Sequence, residues 1–290
     1  MFMCGTVEIN NSRYPLALKQ ISSAPKKIYY KGNWDESIFE NCLAVVGTRR
    51  ITSYGKQITS KLVSEAASAG LTIVSGFMYG VDAAAHKAAL GAGGKTIAVM
   101  PCGIDMVHPA YQKNLYNEIL ESNGLIISEF ENNFPPALWT YPKRNKIVAG
   151  LSQAVMVVEA ASKSGSLITA NLARAYGRKL FAVPGPLTSS LSEGTLNLIK
   201  EGAVMVISVK DILDYYGLGR SSLAVDSQQS LNLNRLEESI ITKLQQEPIS
   251  IDGLSRLLEI PVSKIGTTLS LMQLKGILFE EEGKYHIKFG

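Results

Sequence analysis

The chain is poor in the residues that usually announce an enzyme or a secreted protein. Among 290 residues there are three cysteines and three histidines. Cys4, Cys42 and Cys102 are odd in number and far apart, so they form neither a disulfide framework nor the paired spacing of a zinc site. Cys42 and Cys102 read as small core residues, and this cysteine usage points to a reducing, cytoplasmic setting. No apolar run reaches the roughly eighteen residues of a membrane span, so no membrane partner is expected. The opening MFMCGTVEINNSRYP lacks a basic stretch followed by an apolar run, so no secretory signal is expected. No G-x-G-x-x-G follows the first apolar strand candidate, which counts against a dinucleotide cofactor. No cofactor and no metal are expected. Gly91-Ala92-Gly93-Gly94-Lys95-Thr96 ends like a phosphate-cradling loop, but Ala89 stands where the first glycine is required. That run also follows a helix and precedes a strand, so it reads as a helix C-cap.

What is present is a folding sequence with charge set unevenly along it. Apolar residues make up 46%, ample for real cores. Residues 1–220 carry 22 Lys and Arg against 16 Asp and Glu, whereas residues 234–290 carry 7 against 8. Any preference for a polyanion therefore belongs to the larger, N-terminal part. Short apolar runs at 43–46, 71–75, 96–100, 125–128, 154–158, 180–183 and 203–207 alternate with helix candidates near 54–69, 82–92, 111–122, 144–152, 166–177, 193–201 and 209–216. Continuous apolar strands separated by helices imply a parallel sheet covered on both faces. The expected fold is an α/β, Rossmann-like doubly wound sheet over 1–217, with ligands at the carboxyl ends of its strands. Residues 218–234, rich in Ser, Asn and Gln, read as a linker. Residues 235–290 then read as three short helices, near 235–246, 252–258 and 262–275, and a hairpin turning near Glu282-Gly283. That is a winged-helix pattern, with Asp252 as a candidate cap of its second helix.

The strand ends carry the chemistry. The first strand runs into Gly47-Thr48-Arg49-Arg50, a tight turn with a hydroxyl and two guanidinium forks suited to phosphates. The second runs into Ser75-Gly76-Phe77-Met78-Tyr79-Gly80-Val81-Asp82, where Asp82 reads as a helix cap. His86, one turn later in an Ala-rich helix, has no partner in sequence and reads as packed or hydrogen-bonded. His108 and Lys113 follow the third strand, where they either face a ligand or are merely exposed. The fourth strand leads to a long loop, NNFPPALWTYPKRN, in which Phe134, Trp139 and Tyr141 interleave with Lys143 and Arg144. Unpaired bases stack on aromatics for about 1–3 kcal/mol each while cations follow the backbone. The same aromatics could equally cover a hydrophobic rim. Lys143, Arg144 and Lys146 open the next helix, and Ser164-Gly165-Ser166 opens the one after, where free amides and hydroxyls suit a phosphate. Neither Ser166 nor Thr169 has a base at hand, so neither is a nucleophile. Glu159, beside the Ser-Gly-Ser loop, is the one residue that argues for acid–base work.

Taken in order, GTRR, SGxxxGVDxxAH, CGID, SE followed by PP, YPKRNKIVAGLS, VVEAxxxSGSLITA, GRxxFAVPG and SEGTxxLIxxGA resemble the DNA-processing protein A (DprA, or Smf) family over roughly residues 12–216. The family's N-terminal helical domain is not expected, because YPLALKQISSAPKKIYYKGN already reads as the start of the Rossmann domain. The resemblance implies a cytoplasmic, non-enzymatic protein that binds single-stranded DNA, dimerises through its Rossmann domain and loads the recombinase RecA in natural transformation. It carries the family's basic pocket onto Gly47, Thr48, Arg49, Arg50, Gly76, Lys113, Lys143, Arg144 and Asn145, and its phosphate loop onto Ser164, Gly165 and Ser166. Two segments depart from the family's pattern: Phe77-Met78-Tyr79, where small and polar residues are usual, and HPAYQ at 108–112, where YPxxN is usual.

Three readings follow. The first is a sequence-independent single-stranded-DNA-binding protein. The second is a nucleotide-binding or nucleotide-hydrolysing enzyme using Glu159 and Ser164–Ser166. The third is a DNA-binding regulator acting through its winged helix. The last domain is net acidic, and its third helix brings only Lys264 and Lys275. It is therefore expected mainly to contact protein.

Overall fold

The computed structural model describes residues 2–218, 235–244, 248–281 and 283–287. The chain divides into two compact units, Met1–Ser222 and Leu223–Gly290. The expected linker lies, from residue 219 onward, outside the described residues.

Among its described residues the larger unit holds nine strands: β1 (Cys4–Glu8), β2 (Lys27–Gly32), β3 (Cys42–Val46), β4 (Thr72–Ser75), β5 (Thr96–Met100), β6 (Leu125–Ser128), β7 (Ala154–Val157), β8 (Lys179–Ala182) and β9 (Val204–Met205). Its helices are α1 (Leu16–Lys19), α2 (Ser53–Ser68), α3 (Val81–Gly91), α4 (Lys113–Glu121), α5 (Thr140–Leu151), α6 (Ser166–Ala175), α7 (Glu193–Lys200) and α8 (Lys210–Leu213). All nine strands form one sheet in the order β1-β2-β6-β5-β4-β3-β7-β8-β9. Pairing is parallel from β6 through β9, which is the Rossmann-like doubly wound arrangement. Alternate strand residues face opposite cores. Ala44, Val46, Val155 and Val157 pack on one face with Ile147, Val148 and Leu151 of α5 and Ala170 and Ala173 of α6. Leu43, Val45 and Met156 pack on the other with Leu62 and Val63 of α2 and Val81 and Ala85 of α3. Every residue of β3, β4, β5, β6 and β7 is buried, which is why these strands read as unbroken apolar runs.

In this unit the structure corrects the sequence reading in two places. The sheet begins with two antiparallel strands, β1 and β2, that the apolar-run criterion missed. Their burial is partial, with CGTVE mostly exposed, so neither shows a continuous apolar stretch. Helix α5 begins at Thr140, four residues ahead of the expected start, and takes Pro142 into its first turn, where a missing N–H costs nothing. The Gly91–Gly94 run does close α3: Gly93 adopts φ 67° and the Gly94 amide returns to the Ala89 carbonyl at 2.9 Å.

The smaller unit holds α9 (Arg235–Leu244), α10 (Ile251–Leu258), α11 (Val262–Leu274) and the hairpin β10 (Leu278–Glu281) with β11 (Lys284–Ile287). This is the element order expected of a winged helix, around a core of Ile240, Leu254, Ile265, Leu269 and Met272. Ser250, not Asp252, caps α10, its hydroxyl accepting from the Gly253 amide at 3.3 Å. Glu282, at the expected turn, lies outside the described residues. Of the two α11-region cations, Lys275 is paired with Glu237 at 2.7 Å, and Lys264 is exposed. Among the described residues no helix is long and apolar enough to cross a membrane.

Candidate nucleic-acid interface

Chain progression across the sheet reverses between β3 and β7: β4, β5 and β6 are added on one side and β8 and β9 on the other. Loops leaving two neighbouring strands in opposite directions open a crevice at their carboxyl ends. Here that crevice is a cavity of about 530 Å³. The turns after β3, β4 and β7 and the first turns of α5 and α6 enclose it.

Backbone bonds stitch these turns together. The Thr48 amide donates to the Glu159 carbonyl at 2.7 Å, and the Val81 amide to the Thr48 carbonyl at 3.2 Å. Two glycines make this possible. A Cβ on Gly47 would lie 2.5 Å from Val81 Cγ2, and one on Gly80, at φ 82°, would lie 2.3 Å from the Thr48 carbonyl oxygen. Gly76 answers to a third crowding: its Cβ would lie 2.3 Å from Arg144 Nη1 and 2.7 Å from Asp82 Oδ2.

The floor of the cavity is a set of buried polar groups whose bonds are turned inward. Arg144 is buried, and its Nη1 donates to the Gly76 carbonyl and, at 2.9 Å, to the Val99 carbonyl. Its Nε donates to Asn145 Oδ1 at 3.0 Å. It thereby ties the ends of β4 and β5 to α5. Burial pulls the Arg144 guanidinium below its ordinary range, against the attraction of Asp82. Burial pushes the Asp82 carboxyl up, against the attraction of Arg144. Asp82 Oδ2 accepts from the Met78 amide at 3.2 Å, so it closes the loop ahead of α3, whose N-cap position is Gly80. His86 Nδ1 bonds Thr96 Oγ1 at 2.7 Å, and burial lowers this histidine to about 3, keeping it neutral. It is a packed histidine, and among the described residues it has no acid–base partner.

Glu159 belongs to this frame as well. Its carboxylate accepts from the Thr52 amide at 3.0 Å and the Thr52 hydroxyl at 2.5 Å, at the N-terminus of α2. A carboxylate there satisfies an amide that the helix cannot and complements the helix dipole. Glu159 is buried and is not among the residues that line the cavity. The hydrolytic reading loses its base for that reason.

The lip is different in kind. Arg49 and Arg50 are exposed and make no ion pair among the described residues. The Arg49 guanidinium lies 5.1 Å from the Tyr141 ring centre and 5.7 Å from that of Tyr79. Tyr141 in turn bonds His108 Nε2 through its hydroxyl at 3.0 Å. Burial, then the charges of Arg49 and Arg144, lower the His108 imidazole, so it adds no cation of its own at neutral pH. Opposite, the Ser164 hydroxyl accepts from the Ser166 amide at 3.3 Å and meets the Ser166 hydroxyl at 2.8 Å. The first amides of α6 are taken within the turn, Ser166 by the Ser164 hydroxyl, Leu167 by the Ser164 carbonyl at 3.1 Å and Ile168 by the Gly165 carbonyl at 3.2 Å, which leaves the two hydroxyls as the polar groups this turn offers the cavity.

Gly47, Thr48, Arg49, Arg50, Gly76, Arg144, Asn145, Ser164, Gly165 and Ser166, expected from sequence, all line the cavity. Lys113 and Lys143 do not. Lys113 is exposed at the start of α4, and Lys143 sits over the Trp139 ring at 5.1 Å. Lys146, the third base of the YPKRNK run, is paired with Glu129 at 3.0 Å. Trp139 and Phe134 pack with Phe130 as a rim cluster, centres 4.8 to 5.8 Å apart. This favours the covering reading for those two rings and leaves Tyr141 in the site. Tyr79 also lines the cavity, although the sequence marks it only as a departure from the family's pattern. Its position between two loop glycines was the available signal. Among the described residues no three His, Cys, Asp or Glu side chains gather as a metal ion requires.

The family model for DNA recombination-mediator protein A matches residues 5–217. The chain is 35% identical to Protein Smf of Escherichia coli (strain K12) over 280 residues, 94% of this chain and 74% of that protein. It is 42% identical to the DNA processing protein DprA of Streptococcus pneumoniae over 200 residues, 69% of this chain and 70% of that one. Two solved structures are similar in fold. The crystal structure of DNA processing protein A from Streptococcus pneumoniae superposes with a TM-score of 0.69 at 40% identity, covering 72% of this chain and 73% of that chain. DNA processing protein A from Helicobacter pylori, whose structure bears on its single-stranded-DNA binding mode, gives 0.66 at 36% identity, covering 74% and 96%.

Proposed function

The chain belongs to the DNA recombination-mediator protein A family, and from that premise we propose that it binds single-stranded DNA without reading its sequence, protects incoming strands and promotes loading of the RecA recombinase in natural transformation and recombination. The observation that carries the reading is the exposed Arg49 guanidinium, held between two tyrosine rings at the mouth of the switch-point cavity. Arg49 and Arg50 take phosphates from one side, and the hydroxyls of Ser164 and Ser166 take them from the other. Such contacts are blind to base identity. Unpaired bases can turn toward the rings, whereas bases in a duplex are already stacked and paired. The protein works as a homodimer in the cytoplasm and carries out no bond-breaking step. The smaller unit, acidic in balance and with Lys275 already paired, contacts protein more than DNA.

Fluorescence anisotropy with labelled single- and double-stranded oligonucleotides at two salt concentrations tests the reading. Tighter single-strand binding that weakens with salt is expected. Equal affinity for both forms, or no binding at low salt, would overturn it. RecA nucleation on single strands should quicken when the protein is added, and sedimentation should return twice the chain mass of 31.4 kDa.

A further inference from the structure

The loop between Gly76 and Gly80 fixes every residue but one. Phe77 is fully buried in the left-handed region at φ 58°, and its carbonyl accepts from Gln112 Nε2 at 2.9 Å. Met78 is buried and its amide is held by Asp82. Gly76 and Gly80 have no room for a side chain, for the reasons given above. Tyr79 alone turns outward, with 42% of its surface exposed at the cavity mouth. Among the described residues its hydroxyl donates to no acceptor, so no polar contact among them requires a tyrosine there. An aromatic side chain on a rigid backbone loses little freedom when a ligand covers it.

The wall around it is mixed. Pro142 is exposed and Ile168 keeps 45% of its surface, and both line the same cavity as Tyr79 and Tyr141. A site built only for phosphates would have no use for so much apolar surface beside Arg49. A nucleobase, flat and apolar on its faces, has such a use.

Building on the single-stranded-DNA reading, we infer that Tyr79 is a base-stacking residue: one unpaired nucleobase packs on its ring while Arg49, lodged between Tyr79 and Tyr141, holds the adjoining phosphate. Affinity at this site then has two separable parts. The cation part varies with salt, and the stacking part varies with the presence of a base.

A cycle of two proteins and two oligonucleotides separates them. Native protein and Tyr79→Ala are each titrated with a labelled oligothymidine and with its abasic counterpart, over a series of salt concentrations. Tyr79→Ala should weaken binding of the base-bearing strand by on the order of tenfold. It should leave binding of the abasic strand within about twofold, with the same salt slope for both proteins. Tyr79→Phe should bind like the native protein, since the ring and not the hydroxyl does the stacking. Equal weakening for both strands, or a shallower salt slope in Tyr79→Ala, would overturn the inference, because the ring would then act only by positioning Arg49. Failure of the native protein to bind the base-bearing strand would instead bring down the single-stranded-DNA reading itself, and this inference with it.

Discussion

The floor and the lip of one cavity use the same residue type for opposite ends. Arg144 and Arg49 both line it, yet Arg144 spends its donors on the Gly76 and Val99 carbonyls and on Asn145, while among the described residues Arg49 meets the ring faces of Tyr79 and Tyr141. A buried guanidinium must be fully partnered, because an unpaired buried charge is costly. An exposed one can keep its donors for a ligand. The lesson is that a basic motif is not a basic surface: of the bases in YPKRNK, one is buried, one is paired with Glu129 and one leans on Trp139. Substitutions in the floor should therefore move stability, and substitutions in the lip should move binding.

Arg144→Ala sets the largest expected effect. It strands two carbonyls and leaves the Asp82 carboxyl without its cation, so unfolding free energy should fall by about 3–5 kcal/mol in urea titrations. Arg144→Lys should not rescue it, since an ammonium cannot span the same acceptors. A loss of less than about 1 kcal/mol would erase the distinction between floor and lip.

Acid gives the next effect, through His86. Its folded value, about 3, lies below the ordinary 6.5, so the neutral histidine contributes stability above pH 6.5 that is lost as pH falls toward 3. Each pH unit in that window costs about 1.4 kcal/mol, or about 2 kcal/mol on going from pH 7 to pH 5. Asp82, raised by burial, works in the opposite direction. Urea titrations of the native protein and His86→Asn at both pH values isolate the histidine, and the variant should lack this component of the acid sensitivity.

Glu159→Ala comes third. It removes the carboxylate that accepts from the amide and hydroxyl of Thr52, the N-cap residue of α2, and should cost about 1–2 kcal/mol of stability. The salt slope of single-strand binding should not change. Nucleotide hydrolysis by the native protein that is lost in this variant would restore the catalytic reading.

Much of the frame was legible because it is local. Runs 96–100 and 125–128 are strands to the residue, since both faces of a central parallel strand are buried. Strands β1 and β2 escaped because β1 buries little, β2 is only partly buried, and neither offers a continuous apolar run. The fate of Arg144 was in fact written in its spacing: it shares the i, i+3, i+4, i+7 stripe with Ile147, Val148 and Leu151, all buried. The fate of Glu159 was not, since its partner Thr52 lies 107 residues away in sequence. Tyr79 is legible only once Gly76 and Gly80 are seen to be pinned by Arg144, Asp82 and Thr48.

The smallest effect on stability, and the most direct test of the division, belongs to Arg49→Ala combined with Arg50→Ala. Unfolding free energy should stay within about 0.5 kcal/mol of the native protein. The decisive measurement is the log–log salt dependence of single-stranded-DNA affinity for this variant beside the native protein. With about 0.7 of slope per phosphate contacted, the account expects the slope to flatten by about 1.4 and affinity to fall at low salt. A well-folded variant with unchanged slope and unchanged affinity would contradict it.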